Sequence, residues 1–423
     1  MIYNYNVPEG KTICLLSTLL SFTLSRPLER ISVIYASRTH SQLSKVVKEF
    51  RSTIYSKKVK MSILGSRNQL CIHPKISNIK NSLQQNQACR QATNKHSCKY
   101  YENVSSFTAN YNSSNSPSSS SSSLDIEDLN TIGRDHEVCP FYLSREFVPN
   151  SALLLMPYNY LVDPDIRNRL QLNLENSILV FDESHNLESV CNEAASFDLT
   201  SHDIAQAIME TQKCIEIVQE SQDSSISSSS TVPSYIDMLM SGSGLSVPSK
   251  VDLPSLTTLK GLLLDFEGLL MNHSLCTRDG PYIFDILNEC KINFRSKTFL
   301  INVIEKSVEI LFAGDDNGGK NPHSNSDSQK KNCALDKINS CLKLIFKGSD
   351  DDGLLLSREY KVHFQVGKSN SANKILSYWC FSPGVAMKQL TQNNHIRSII
   401  FTSGTLAPLD SFTQEVIIKT SPC

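Results

Sequence analysis

The chain has 423 residues, 40% of them hydrophobic and 20% charged, with a formal net charge of −1. That apolar content is enough for a packed core, and the length suits about two to four domains. No apolar run reaches about 18 residues and Met1 to Glu9 is polar, so neither a membrane span nor a secretory leader is read; 13 cysteines, an odd number, then fit a reducing compartment with thiols free or on metal.

In chain order, the first element is Gly10-Lys11-Thr12, followed by the apolar stretch Ile13 to Leu24. Gly-Lys-Thr opening a helix is the end of a phosphate-binding loop. Backbone N–H groups face the phosphates, the lysine reaches the β/γ positions and the threonine hydroxyl ligates Mg²⁺. The full pattern wants a small residue five positions before Gly10, where Tyr5 stands, and Glu9 sets a negative charge beside a polyphosphate. The loop is half formed.

Ile31-Ser32-Val33-Ile34-Tyr35 is an apolar, β-branched run that leads into Ala36-Ser37-Arg38-Thr39-His40, a polar and cationic loop. It reads as a buried strand with chemistry at its carboxyl end. Residues 38–101 carry 13 lysines and arginines against one acid, Glu49, a net +12. Such a one-sided segment repels itself, and a phosphate backbone relieves that repulsion. Lys57, Lys58 and Lys60 are its densest cluster, and Tyr55, Tyr100, Tyr101 and His96 offer stacking surfaces for single strands.

Cys71, Cys89, Cys98 and Cys139 leave 17, 8 and 40 residues between successive members. Four thiolates can hold a tetrahedral zinc or a [4Fe–4S] cluster, and spacing this loose does not decide between them. Asn112 to Ser123, Ser221 to Ser230 and Gly314 to Lys331 bury too little apolar surface to offset chain entropy and read as disordered. Leu153–Met156 reads as a further strand. Ile204 to Val218, Leu256 to Leu270 and Phe299 to Phe312 have helical apolar spacing.

Ile178-Leu179-Val180-Phe181 ends in Asp182-Glu183-Ser184-His185. This is how a buried parallel strand delivers acids to the carboxyl edge of a sheet, where α/β proteins bind ligands. An aspartate there can hold Mg²⁺ and a neighbouring glutamate can polarise an attacking water. Ser398-Ile399-Ile400-Phe401, leading into Thr402-Ser403-Gly404-Thr405, has the same grammar. Several such strands spaced by helical segments argue for a nucleotide-binding parallel sheet.

Read together, these segments resemble the XPD-type, iron–sulfur, superfamily 2 DNA helicases. The resemblance is carried by Tyr35 to Leu43, Leu64 to Pro74, Cys139 to Tyr142, Met156 to Leu161, Asp182 to Asn186, Tyr378 to Gly384 and Thr402 to Pro408. It is densest at 31–102, 139–200 and 374–412. Gly65 to Pro74 and Tyr378 to Gly384 favour the telomere-elongation-regulator group over the Fanconi anaemia group J and ChlR-type groups.

The resemblance implies an α/β fold: a RecA-like P-loop motor domain with a parallel sheet, an iron–sulfur insertion and a mostly helical Arch insertion. The motor domain is expected at 1–70, 140–199 and 373–423, the iron–sulfur insertion at 71–139 and the Arch at 200–372. Gly10, Lys11 and Thr12 are then implied to bind ATP, and Thr12 and Asp182 to hold Mg²⁺. Glu183 is implied to activate water, His185 to couple the nucleotide to neighbouring motifs, and Ser403 and Thr405 to link ATP state to domain movement. Ser184 stands where the family has Ala. Cys71, Cys89, Cys98 and Cys139 ligate [4Fe–4S]. Arg38, Thr39 and His40 touch single-stranded or branched DNA, with Lys57, Lys58 and Lys60 as a basic face. The implied activity is ATP-dependent 5′–3′ helicase action in telomere maintenance and DNA repair, in the nucleus, with replication or repair proteins as possible partners.

Two departures temper this. The family's adenine-recognising segment is not matched by the residues before Gly10. Its second RecA-like domain, which supplies arginines across the cleft, is not present between Thr405 and Cys423. Phosphoryl transfer depends on positioned cations around the γ-phosphate. One motor domain with its insertions is therefore expected, and the alternative is a non-catalytic fragment that binds DNA or a partner through the basic iron–sulfur region.

Overall fold

The computed structural model describes residues 2–4, 10–114, 123–223, 252–314, 333–367, 373–392 and 394–404. Tyr5, Glu9 and Thr405 lie outside these residues, as does most of the three serine- or glycine-rich stretches. Strands are numbered in chain order: β1 Ile2–Asn4, β2 Ser32–Ser37, β3 Met61–Ile63, β4 Leu153–Pro157, β5 Ser177–Asp182, β6 Phe197–Thr200, β7 Thr277–Asp279, β8 Tyr360–Val366, β9 Lys374–Cys380 and β10 Ser398–Ser403. The chain divides into two compact units, Met1–Ala194 with Ser382–Cys423, and Ala195–Phe381.

The first unit is built on a six-stranded sheet of order β1-β10-β5-β2-β4-β3. Every pairing in it is parallel. The four segments read as strands, around Val33, Leu154, Leu179 and Ile400, are therefore neighbours in one sheet. The strands are buried on both faces, as parallel strands flanked by helices are. Val33, Tyr35, Leu153, Leu155, Ile178 and Val180 belong to one core with Leu16, Leu20, Leu43 and Phe50 from the helices Lys11–Leu24 and His40–Ser52. Ile34, Ala36, Leu154, Met156, Leu179 and Phe181 face the opposite core, with Leu187, Cys191, Met387 and Leu390. Each fully buried aliphatic side chain contributes about 1.5–3 kcal/mol. This period-2 split leaves the polar residues that follow each strand at one edge.

A parallel pair needs a crossover, and a crossover can absorb a whole inserted domain. The β5-to-β10 connection does this: it contains the entire second unit. That unit is helical where the apolar spacing predicts, at Ser201–Asp223, Leu253–Asn272 and Lys297–Gly314. It also holds a four-stranded antiparallel sheet, β6-β9-β8-β7. Tyr360 and Tyr378 stack across β8 and β9 with centroids 4.3 Å apart.

Candidate functional site

The carboxyl ends of β2, β5 and β10 converge on the start of the helix Lys11–Leu24. Gly10 precedes that helix in the left-handed conformation, at φ 86°, which glycine adopts without steric cost. Gly10 has no side chain to cap the helix start, and of the first N–H groups that of Ile13 faces the Glu49 carboxylate. Lys11 Nζ lies 3.2 Å from Asp182 Oδ1 and 3.2 Å from Glu183 Oε1. Asp182 is buried at 6% exposure, and its backbone carbonyl accepts from the Tyr158 hydroxyl. Burial, then the Asp182 charge, raises the Tyr35 pKa well above the ordinary phenol value, while the Thr12 hydroxyl opposes the shift. The Glu49 pKa is raised by burial and next by Asp182. Four groups near Lys11 thus carry or respond to negative charge, and one lysine is set against two carboxylates.

Glu183 sits at φ 55°, ψ 45°. A left-handed non-glycine residue costs about 1–3 kcal/mol and is typical of functional sites. The turn places His185 Nδ1 2.7 Å from Ser403 Oγ, which in turn donates to Glu183 Oε2 at 3.3 Å. Ser184 is fully buried and its hydroxyl donates to the Thr402 carbonyl at 3.3 Å, so the extra oxygen relative to alanine has a partner. Lys11, Thr12, Asp182, Glu183, His185 and Ser403 are therefore gathered at one sheet edge.

Arg38 follows β2 at this same edge and is exposed. Thr39 caps the helix His40–Ser52 in a reciprocal box with Gln42, a structural role in addition to any contact with ligand. Burial lowers the His40 pKa. Lys57, Lys58 and Lys60 are also exposed, but they precede β3 and so lie at the amino edge of the parallel sheet. The two basic sets are not on one surface.

The four cysteines come from separate elements. Cys71 ends the short helix Arg67–Leu70, Cys89 lies in the helix Ser82–Asn94, Cys98 precedes the helix Lys99–Ser114 and Cys139 precedes Pro140–Glu146. Cys89, Cys98 and Cys139 are buried and Cys71 is half-buried. They stand near enough for charge on one to raise the pKa of another: Cys89 and Cys98 act on Cys71, and Cys89 and Cys71 act on Cys139. Burial is the largest cause of each shift and takes Cys139 to about 12. Backbone N–H donors oppose it: His73 to Cys71, Tyr101 and Tyr100 to Cys98, Tyr142 and Phe141 to Cys139. Burial disfavours the Arg67 charge, yet Cys89 and Tyr142 hold its pKa above the ordinary arginine value. Its guanidinium stacks over Phe141 at 4.0 Å and donates to Asn86 at 2.9 Å.

Buried thiols with directed N–H donors and a nearby guanidinium suit thiolates bound to metal. Among the described residues no group of three or more His, Cys, Asp or Glu closes to metal-binding distance. The donor chemistry fits a cluster, but the spacing does not itself define one. Arg67, Tyr158 and Asn186 lie inside the segments Leu64 to Pro74, Met156 to Leu161 and Asp182 to Asn186 that carry the resemblance, but no role is read for them from the sequence.

Three comparisons bear on this arrangement. The DEAD_2 family model matches residues 35–204, and the model described as RTEL1 helicase, ARCH domain, matches residues 206–383. The chain is 34% identical over 420 residues to the "Regulator of telomere elongation helicase 1" of Pongo abelii, covering 92% of this chain and 30% of that protein. It is 34% identical over 406 residues to the homolog of Oryza sativa subsp. japonica, covering 92% of this chain and 36% of the relative. The chain thus spans about a third of the length of these curated relatives. In fold it is similar to a solved structure titled "Truncated XPD", with a TM-score of 0.51, 17% identity and coverage of 99% of this chain and 93% of that one. The chain thus carries the DEAD_2 domain and, after it, the ARCH domain of the RTEL1 helicase model, and it is similar in sequence to the regulators of telomere elongation helicase.

Proposed function

We propose that this chain is the first motor domain, with its iron–sulfur and Arch insertions, of an ATP-dependent 5′–3′ DNA helicase acting in telomere maintenance and DNA repair in the nucleus. The observation that carries this reading is Lys11 poised 3.2 Å from both Asp182 and Glu183 at the carboxyl edge of the sheet. Gly10, Lys11 and Thr12 take the phosphates of ATP, and Thr12 and Asp182 ligate Mg²⁺. Lys11, paired with Asp182 and Glu183 here, would reach the β/γ-phosphates once Asp182 was engaged by a bound cation, which would supply charge neutralisation at the phosphates. Glu183 orients the attacking water, and Ser403 and His185 hold its second carboxylate oxygen until nucleotide arrives.

Residues 71–139 form the iron–sulfur insertion, with Cys71, Cys89, Cys98 and Cys139 as the ligands. A [4Fe–4S] group there would cross-link four helices, three of which also reach the core through Leu70, Val104, Phe141 and Leu143. Arg38, Thr39 and His40 contact single-stranded or branched DNA at the carboxyl edge. Lys57, Lys58 and Lys60 add charge at the other edge, and residues 200–372 form the Arch. No helix among the described residues is long and apolar enough to cross a membrane.

The test is duplex unwinding by the longest gene product containing this chain. A duplex with a 5′ single-stranded tail should be separated in the presence of MgATP, and one with only a 3′ tail should not. Glu183→Gln should abolish the reaction while leaving DNA binding intact. Unwinding that is indifferent to Glu183, or that needs a 3′ tail, contradicts the proposal.

A further inference from the structure

Arg38 and Glu183 belong to different strand ends, yet hydrogen bonds join them without a gap. Arg38 Nη1 donates to Asn186 Oδ1 at 2.6 Å. Asn186 Nδ2 lies 2.7 Å from His185 Nε2, His185 Nδ1 lies 2.7 Å from Ser403 Oγ, and Ser403 Oγ lies 3.3 Å from Glu183 Oε2. The direction of this chain follows from its first member. A guanidinium has only donors, so the amide oxygen of Asn186 must face it and the amide nitrogen must face the imidazole. His185 Nε2 is then an acceptor, and the ring proton sits on Nδ1. That proton points to Ser403, whose own hydroxyl donates to Glu183 Oε2. All five groups are consistent with one donor direction, from Arg38 to the carboxylate.

We infer that Asn186 is the positioning residue that couples occupation of Arg38 by a nucleic-acid phosphate to release of Glu183 at the nucleotide site. The inference rests on the nucleotide and DNA roles proposed above. A phosphate on Arg38 competes with Asn186 Oδ1 for the guanidinium. Once Arg38 leaves, the Asn186 amide keeps only its 3.3 Å bond to the Glu183 carbonyl and its contact with His185, so the tautomer of His185 is enforced less firmly from that side. Mg²⁺–nucleotide dismantles the same chain from the other end, by drawing Lys11 and Glu183 toward the phosphates. Each ligand removes contacts that the other must otherwise break, so their binding is mutually favourable, and reciprocity requires the same factor in both directions.

The experiment measures this linkage without turnover. Affinity of the full chain for a fluorescent ADP analogue with Mg²⁺ is determined with and without a saturating single-stranded oligonucleotide. A factor of about fivefold or more is expected, at the low end of ordinary coupling. In Asn186→Ala the factor should fall to about one, with each ligand's separate affinity within about twofold of the parent. Nitrogen NMR of His185 should report the Nδ1–H tautomer in the parent. Asn186→Asp is the second variant: it keeps the contact to Arg38 but cannot donate, so His185 should switch to donating from Nε2. Coupling that survives in both variants overturns the inference, as does an Nε2–H tautomer in the parent. Binding of both ligands without linkage also overturns it while leaving the proposed function standing. Failure to bind either ligand defeats the proposed function itself, and this inference with it.

Discussion

His185 Nδ1 and Ser403 Oγ, 218 residues apart in the chain, lie 2.7 Å from one another. Between them in sequence stands the whole second unit, yet the register of β10 on β5 fixes the contact: Phe401 pairs with Phe181 and Thr402 with Asp182. Each strand then turns immediately after the paired position, and the next polar residues meet. The insertion is accommodated because the two strand ends are held by the sheet and not by the connection.

Gly133 should not tolerate a side chain. A Cβ there would stand 2.4 Å from Pro140 Cγ and 2.9 Å from the Val138 carbonyl oxygen. The close approach lets Pro140 start its helix directly after Cys139. Gly133→Ala must therefore shift either the backbone or the proline ring, at a cost of about 1–3 kcal/mol by comparison with other overpacked sites. Chemical denaturation should show the loss, and thiol labelling should show Cys139 more reactive. Unchanged stability would mean that this packing is looser than the contact distances indicate.

Metal content distinguishes the two readings of the cysteine set. Protein purified without oxygen should carry about four irons per chain and absorb in the visible, as thiolate clusters do. Cys89→Ser should lose both, because Cys89 is the thiol that acts on Cys71, Cys98 and Cys139 alike. One zinc per chain with no iron contradicts the cluster.

In the second unit, Lys337 Nζ donates to Asp203 Oδ2 at 2.6 Å. Burial pushes the Asp203 pKa up, but Lys337 and Thr200 outweigh it and hold the carboxyl below its ordinary 3.8. A depressed folded-state pKa stabilises the fold above the unfolded value, and that stability is lost as pH falls through the folded one. Lys337 is 43% exposed, so Lys337→Met should cost less than about 1 kcal/mol at pH 7. Denaturation midpoints of the two proteins should converge as the pH is lowered below 3.8. A gap that widens in acid refutes the assigned pairing.

The strand ends were legible because their cause is local. Val33, Leu154, Leu179 and Ile400 sit in short β-branched or aliphatic runs, and each run stops at polar residues that a sheet must leave at its edge. The pairing of β1 with β10 was not legible, since Ile2–Asn4 is too short to show any period. In the antiparallel sheet of the second unit, β6 and β7 have four and three residues and show no period, whereas β8 alternates Tyr360, Val362 and Phe364 with Lys361, His363 and Gln365, a period-2 signal that the helical reading of 200–372 passes over. Asn186 closes the Asp182 to Asn186 segment that carries the resemblance, but its role could not be found from spacing. Its partner Arg38 is 148 residues away, and only the placement of β2 beside β5 brings them together. The separation of Lys57, Lys58 and Lys60 from Arg38 is equally topological. A run of like charge in sequence crosses from one edge of the sheet to the other along the helix His40–Ser52.

If Lys11 and the paired acids hold Mg²⁺–nucleotide as proposed, calorimetric titration of the chain with MgADP should show saturable binding. A lysine bonded to phosphate is worth about 1.5–3 kcal/mol. Lys11→Ala should therefore weaken binding about tenfold or more, while its melting behaviour stays close to that of the parent. Parent and variant binding MgADP equally, or the parent not binding it at all, would contradict the account.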